Sequence, residues 1–293
     1  MKTALVDVIP VQNTLGEGII WDHRTGHVLW TDIKQARLYR LHFESRIVEH
    51  YDLPENLCAF GLTTDKGKYI CGFNGGFLFY SPLSGIRKDI GKVEEEWPGT
   101  RMNDGRMDRA GRFWTGTMVE NENTAPKEGS ALYSTDGKKI KRHFDGITIS
   151  NGLGWSPDGK IMYFADSPTR EVYAFDFDGN TGSTTNRRVF ASLPEGSYPD
   201  GATVDAQGCL WVAVWDGGEV ICFSPEGDVL HKIKFDACQA TCVAFTGPNL
   251  DHLCVTTARD GLSGDALEAE PHSGDLFIFK TDVKGLTETI FKE

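Results

Sequence analysis

The hydrophobic residues of this chain fall in short clusters that recur six times, each after a turn rich in Asp, Gly, Pro or Asn. Successive copies start 41 to 49 residues apart, a spacing typical of the blades of a β-propeller. The six copies are HVLWTDI (27–33), KYICGF (68–73), RFWTGTM (112–118), KIMYFAD (160–166), CLWVAV (209–214) and HLCVTT (252–257). Each copy has the length and the β-branched and aromatic content of a strand.

Further strands flank each copy. A second apolar segment follows it, as in REVYAFDFD (170–178), and another precedes the turn, as in GEGIIWD (16–22). The fourth segment of each unit is the least recognisable, with RRVFASLP (187–194) as one candidate. Helical periodicity is nearly absent.

Six units of about four strands predict an all-β fold, a closed six-bladed β-propeller in which residues 1–293 form one domain. Residues 1–14 are expected to supply the strand that closes the ring against the C-terminal segment. A β-sandwich is the alternative, and six copies of one pattern disfavour it.

The acidic composition narrows the range of partners. The chain has 42 Asp and Glu against 30 Lys and Arg, a formal net charge of −12. Nucleic acid and anionic membranes are therefore disfavoured, whereas a cation or a small neutral molecule is compatible with this field. The N-terminal segment has no uninterrupted apolar core of signal-peptide length, and no stretch is long enough to span a membrane. We expect a cytoplasmic protein; the pattern carries no signal for an oligomeric state.

Seven cysteines, an odd number, are spread over the chain without paired CxxC motifs. Most lie inside apolar strand segments, where a thiol behaves as a small buried hydrophobe. A structural zinc site or a disulfide framework is therefore disfavoured.

Polar residues recur at one register of the repeat. Asn103, Asn151 and Asp200 each stand nine residues before the start of a hairpin strand, and Glu17 stands ten before. The innermost strands of a propeller run in the same direction around the channel, so these side chains are expected to converge near its axis. The other two blades place apolar or small residues there, around Phe60 and Thr241.

Two carboxylates and two amides at a channel mouth need a counter-charge, and a hard divalent cation accepts such oxygens. The alternative is that Asn151-Gly152, Asp200-Gly201 and Asn103-Asp104-Gly105 are ordinary turns. Glu17, which lies between two glycines, has no turn preference. The shared register across four blades favours a metal site.

These segments resemble those of the SMP-30/gluconolactonase family, and the resemblance covers essentially the whole chain. The motifs that carry it are LGEGIIW (15–21), RMNDGRMDRAGRFWTGTM (101–118), ISNGLGWSPDGKIMYFADS (149–167), YPDGATVDAQGCLWVA (198–213) and TARDGLS (257–263). Members of this family are six-bladed propellers, in agreement with the repeat.

The resemblance implies specific roles. It implies that Glu17, Asn151 and Asp200 hold one divalent metal cation, with calcium, magnesium, manganese, zinc and iron all open. Asp200 is also implied as general base, while Arg101 and Asn103 are implied to contact the substrate. A further substrate-binding carboxylate follows the GTM motif in some members, which leaves Glu120 or Glu122 as candidates.

The predicted function is metal-dependent hydrolysis of a sugar lactone, the small-molecule partner, to an aldonic acid. One alternative is a calcium-binding regulatory protein without turnover, which would not need Arg101 and Asn103. Another is a related propeller esterase or phosphotriesterase, which shares the fold and the metal. A protein-interaction propeller would not place metal ligands at the axis. The sequence has no GxSxG, HExxH or GxGxxG motif.

Overall fold

The computed structural model describes residues 1–292, so residue 293 of the predicted domain lies outside the described residues. The strands form six four-stranded antiparallel sheets, and the innermost strands of these sheets contact one another in cyclic order. The prediction of a six-bladed β-propeller is therefore confirmed.

The strands, in chain order, are β1 (Thr3–Ile9), β2 (Gly16–Asp22), β3 (His27–Asp32), β4 (Arg37–His42), β5 (Val48–Asp52), β6 (Leu57–Leu62), β7 (Tyr69–Phe73), β8 (Gly76–Ser81), β9 (Ile86–Lys92), β10 (Thr100–Met107), β11 (Phe113–Val119), β12 (Ser130–Thr135), β13 (Ile140–Ile147), β14 (Ser150–Trp155), β15 (Ile161–Asp166), β16 (Glu171–Asp178), β17 (Ser183–Ser192), β18 (Tyr198–Val204), β19 (Leu210–Trp215), β20 (Glu219–Phe223), β21 (Val229–Lys234), β22 (Ala240–Thr246), β23 (His252–Thr257) and β24 (Leu276–Thr281). Blades 1 to 5 each use four consecutive strands, starting at β2, β6, β10, β14 and β18. Blade 6 consists of β22, β23, β24 and β1.

Blade 6 combines the two ends of the described chain. Strand β1 pairs antiparallel with β24, so that Thr3 lies opposite Thr281 and Ile9 opposite Leu276. The expectation that residues 1–14 contribute the closing strand is confirmed.

The core is divided among the six seams between blades. Each seam contains one cluster of buried apolar side chains, drawn mainly from the two blades that flank it. An inner strand therefore has both faces covered, and every residue of β2 and β14 is buried. The second strand of each blade is covered in the same way, and every residue of β7 is buried. This double coverage explains why the recurring segments read as apolar runs rather than alternating ones. The outermost strands, such as β9 and β17, are largely exposed.

The two faces of the ring differ in their loops. On the face where the inner strands begin, blade 3 has a long loop over residues 120–129 and the opposite blade 6 has one over 258–275. The second loop contains the short helix α1 (Gly264–Ala269), which the sequence pattern did not predict. A 3-10 turn (Ser167–Thr169) follows β15. Among the described residues, no helix has the length and apolar character needed to cross a bilayer.

The C-terminal segment covers the other face. Gly285 bridges Asp205 of blade 5, and Phe291 bridges Thr63 after β6. Phe291 is fully buried in the seam between blades 2 and 3. The far end of the central channel is therefore closed by residues of the chain itself.

Candidate metal and substrate site

The polar residues of the shared register lie at β-bulges. The pairing register shifts between Glu17 and Ile20 in β2 and between Asn151 and Gly154 in β14. β10 and β18 contain the same irregularity. A bulge leaves residues unpaired and changes the direction of their side chains. The alternative that Asn103, Asn151 and Asp200 belong to ordinary turns is therefore wrong, because they and Glu17 all lie within strands.

Glycine follows two of these residues for a conformational reason. Gly18 and Gly152 have φ angles of +59° and +66°, in the left-handed region that only glycine enters without strain. The Glu-Gly and Asn-Gly pairs therefore mark the bulges.

One cavity of about 520 Å³ at the mouth of the channel brings the predicted site residues together. Glu17, Asn103, Asn151 and Asp200 all line it and are each 5 to 6% exposed. Arg101, which is also buried, lines the same cavity. The expected convergence of four blades on the axis is thus observed, while the roles of these residues stay predictions.

A chain of hydrogen bonds fixes the two amides. Asn103 Nδ2 donates to Asn151 Oδ1 at 2.9 Å, and Arg101 Nη1 donates to Asn103 Oδ1 at 2.8 Å. Asn151 Nδ2 donates to Ser167 Oγ at 2.8 Å, and that hydroxyl donates to Pro199 O at 2.7 Å. The amide NH2 group of Asn151 therefore donates to Ser167, and Oδ1 of Asn151 is the atom with a remaining lone pair for a ligand.

The carboxylates of the site are buried without a matching cation. Burial, and then the nearby charge of Asp104, raise the pKa of Glu17 to about 8. Burial, followed by the charges of Glu17 and Asp104, also raises the pKa of Asp200 well above its ordinary value. Arg101 offsets these charges only in part. Within residues 1–292, the Glu17 carboxylate receives a hydrogen bond only from its neighbour Gly18, at 3.2 Å.

Such a set of oxygens fits a hard divalent cation. Buried carboxylates that repel one another are costly alone and are stabilised when a cation compensates them. The Glu17 and Asp200 carboxylates together with Asn151 Oδ1 form an all-oxygen donor set, which calcium and magnesium prefer. The residues present therefore fit the metal that the resemblance implies.

The structure separates the two candidate carboxylates that follow the GTM motif. Glu120 lines the cavity, and its Oε1 lies 3.2 Å from Arg101 Nε. Glu122 is exposed and does not line the cavity. Burial raises the pKa of Glu120, but hydrogen bonds and charge from Lys34 and Arg101 outweigh it and lower the pKa overall. Glu120 is therefore an ionised acceptor at the mouth.

One predicted position requires correction. In blade 2 the residue at the bulge of the inner strand is Cys58, between the paired residues Leu57 and Ala59, whereas Phe60 packs in the seam with blade 1. Cys58 stands ten residues before Lys68, as Glu17 stands ten before His27, whereas Phe60 stands eight before Lys68. Burial raises the pKa of the Cys58 thiol to about 11.

Thr241 holds the corresponding position of blade 6, as expected. It is buried, and its hydroxyl donates to the carbonyl of Gly16 next to Glu17. Lys34 and Asp104 were not predicted as site residues. Asp104 accepts a hydrogen bond from Leu153 N at 3.1 Å and so ties β10 to the bulge of β14.

A second cluster of metal-ligating types, Asp205 with Cys209 and Cys222, has its ligand atoms within 4.8 Å of one another. Asp205 Oδ1 accepts hydrogen bonds from Gln207 N and Cys209 N, both at 2.9 Å, and Oδ2 accepts one from Trp211 Nε1 at 3.0 Å. Asp108 does the same in blade 3 with Trp114, without cysteines. This aspartate therefore stabilises the hairpin turn.

Comparison with known proteins places the chain in a family. The model of the SMP-30/gluconolactonase/LRE-like region matches residues 15–259. The chain is 37% identical to L-arabinolactonase of Azospirillum brasilense, over 96% of this chain and 93% of that protein. It is 34% identical to 6-deoxy-6-sulfogluconolactonase of Pseudomonas putida, over 99% of both. The structure of a calcium-binding protein, regucalcin, from Agrobacterium tumefaciens aligns with a TM-score of 0.92 at 29% identity, over 99% of this chain and 98% of that one. The chain belongs to the SMP-30/gluconolactonase/LRE-like family.

Proposed function

We propose that this protein is a metal-dependent lactonase that hydrolyses a sugar lactone to the open aldonic acid. The observation that carries the proposal is one cavity in which an all-oxygen donor set adjoins Arg101, Asn103 and Glu120. The relatives named as L-arabinolactonase and 6-deoxy-6-sulfogluconolactonase, at 37% and 34% identity, support it.

Glu17, Asn151 and Asp200 are the residues that would hold the cation. A divalent cation bound there would polarise the lactone carbonyl or activate a water molecule. The oxygen-only set favours calcium, magnesium or manganese over softer ions, while zinc and iron remain within its reach.

Asp200 is the proposed general base. Water attacks the carbonyl carbon of the lactone, and Asp200 accepts a proton from that water. When the tetrahedral species collapses, the bond between the carbonyl carbon and the ring oxygen breaks. The same proton then neutralises the departing ring oxygen, which leaves a hydroxyl and a carboxylic acid.

Arg101, Asn103 and Glu120 are proposed to orient the sugar ring. The buried Arg101 guanidinium and the Asn103 amide supply donors and acceptors in fixed positions. Glu120 supplies an anionic acceptor for a hydroxyl group. This arrangement suits a neutral ring that carries several hydroxyls.

The test is hydrolysis of a panel of pentono- and hexonolactones, followed by acid release, with calcium, magnesium, manganese or zinc added after chelation. We expect metal-dependent turnover of at least one lactone and its loss in Asp200→Ala. Asp176→Ala, an exposed position on β16, is the matched control and should keep the wild-type rate.

A wild-type protein that binds metal tightly but turns over no lactone would contradict the proposal. Turnover of an aryl phosphotriester or an open-chain ester in the same assay would then support the esterase alternative. Metal binding without any turnover would support the calcium-binding regulatory alternative.

A further inference from the structure

Three charged side chains form a row at the mouth of the cavity. Lys34 Nζ lies 2.6 Å from Glu120 Oε1, and Arg101 Nε lies 3.2 Å from the same oxygen. All three residues line the cavity. The other oxygen, Glu120 Oε2, accepts no hydrogen bond from the part of the chain that the structure describes. Two cations therefore converge on one oxygen and leave the second oxygen available.

The loop lengths of the blades make this row possible. Lys34 lies in the loop between β3 and β4 of blade 1, and Glu120 follows β11 of blade 3. Blade 2 stands between them, but its corresponding loop contains only residues 74–75. Lys34 thus reaches a residue two blades away across the gap that the short loop leaves.

The ion pair is not needed to hold these loops in place. The side chains of Lys34 and Glu120 are 34% and 44% exposed, and ion pairs so exposed contribute little to stability. Backbone hydrogen bonds already fix both segments, from Ile33 N to Leu15 O at 3.0 Å and from Glu120 N to Gly99 O at 2.8 Å. A pair that adds little to folding but lines the cavity calls for a functional explanation.

We propose that Lys34 is a positioning residue that holds Glu120 in the orientation in which Oε2 accepts a hydrogen bond from a sugar hydroxyl. This inference rests on the proposed lactonase function and names a residue that sets its affinity for a neutral polyhydroxy ring. Without Lys34, Glu120 is free to turn both oxygens onto the guanidinium of Arg101 in a two-point pair. That pair would occupy the acceptor and two of the donors that the ring requires.

The expected effect falls on binding. In Lys34→Met, KM rises about 10-fold while kcat stays within about 2-fold, because a contact made equally in ground and transition states affects KM alone. Lys34→Arg restores most of the affinity, since it keeps a cation at the same oxygen. In Glu120→Gln the substrate loses the anionic acceptor, and KM rises at least as much as in Lys34→Met.

The experiment compares Lys34→Met, Lys34→Arg, Glu120→Gln and the double variant Lys34→Met/Glu120→Gln with wild type. KM and kcat are measured on the best lactone. Calorimetry measures the affinity of metal-loaded protein for 1,5-anhydro-D-glucitol, a hydroxylated ring without a carbonyl. Lys160→Met is the matched control, because Lys160 also pairs with an acidic side chain, Asp158, at 3.5 Å but lies in the hairpin turn before β15, away from the cavity.

Non-additivity identifies the mechanism. If Lys34 acts through Glu120, the double variant has the KM of Glu120→Gln alone. Additive effects, or a Lys34→Met variant that behaves like Lys160→Met in both KM and ring affinity, would overturn the inference while leaving lactonase activity intact. Wild-type protein that turns over no lactone, yet binds the ring more tightly than Lys34→Met does, would retain the positioning role and overturn the lactonase. Wild-type protein that neither turns over lactone nor binds the ring overturns both.

Discussion

The two ends of the central channel differ in whether the chain supplies partners for their buried charges. At the mouth, Glu17 and Asp200 are buried with raised pKa values, and the one nearby cation, Arg101, offsets their charges only in part. At the far end, Arg106 is equally buried, but its Nη1 lies 3.1 Å from Glu288 Oε1 and its Nη2 donates to Val243 O at 3.3 Å. The C-terminal segment that supplies Glu288 also closes this end.

The difference shows how to distinguish a structural charge from a functional one. A buried charge that the chain itself pairs, as Glu288 pairs Arg106, needs no ligand to compensate it. A group of like charges that the chain leaves unmatched, beside an open cavity, points to a ligand. The same acidic and basic residue types occur at both ends, so the partners decide the interpretation.

The largest effect is expected from Asp200→Asn, which keeps the shape of the side chain and removes its charge. Loss of a general base typically slows a reaction by about 10²- to 10⁴-fold, and loss of a cation ligand adds to this. The metal-free variant should be no less stable than wild type, because the repulsion with Glu17 is relieved. Initial rates and thermal unfolding in chelator test this, with Glu288→Gln as the control that keeps its rate.

Cation binding at the mouth of the channel should stabilise the folded protein. A ligand present at 100 times its Kd raises the free energy of unfolding by about 2.7 kcal/mol. Scanning calorimetry with increasing calcium or magnesium should show this shift in wild type and in Glu288→Ala. Asp200→Asn should lose most of it; a full shift in that variant would place the cation elsewhere.

Breaking the pair at the far end should reduce stability without reducing activity. Glu288→Ala leaves the Arg106 charge buried and unpaired, which should cost about 2 kcal/mol in urea unfolding. The matched control is Arg188→Ala, which removes an exposed pair with Asp176 and should cost less than about 1 kcal/mol. A fall in kcat/KM for Glu288→Ala would show that the two ends are not independent.

A partly buried histidine outside the channel gives a third environment for charge. The His143 ring stacks on Trp114 with centroids 4.0 Å apart. Burial first, and then the charges of Lys141 and Arg112, lower the pKa of His143 to about 3. Near pH 6.5 this imidazole therefore binds a proton in the unfolded chain but not in the folded chain. This contribution to stability is complete above that pH and is lost progressively as the pH falls toward 3.

The expected loss from His143 between pH 7 and pH 5 is about 1 kcal/mol, since the ring is only partly buried. His143→Gln should flatten this part of the stability profile relative to wild type in urea unfolding. Equal slopes for the two proteins would show that the ring is not held neutral. Lactone turnover is expected to be unchanged in the variant.

The sequence predicted the parts of the fold that depend on repetition. The second strand of each blade is covered on both faces, so its apolar run stands out, and the nearly constant distance back from that strand places Glu17, Asn151 and Asp200 at one register. The outer strands were hard to recognise because they are exposed; β9, for example, reads IRKDIGK. In blade 2 the sequence did not distinguish Cys58 from Phe60, because both lie in the same fully buried apolar segment, LCAFGL.

Which residues line the cavity mouth depends on how the blades are arranged in space, and the sequence pattern does not show this arrangement. The choice between Glu120 and Glu122 depends on β11 ending at Val119, one residue before the cavity-lining carboxylate. The contact of Lys34 depends on the shortness of a loop in another blade. Such residues are found only when blades are placed side by side.

The closing pair of strands has a consequence for how the protein folds. Thr3 pairs with Thr281, so the last blade requires a contact between residues 278 positions apart, and contacts of high sequence separation form slowly. Blade 6 lies between blade 1, which contains Glu17, and blade 5, which contains Asp200. We therefore expect these two carboxylates to come together in their final arrangement once blade 6 has formed between blades 1 and 5. The cation affinity proposed for this site is therefore expected to appear only when blade 6 has closed the ring.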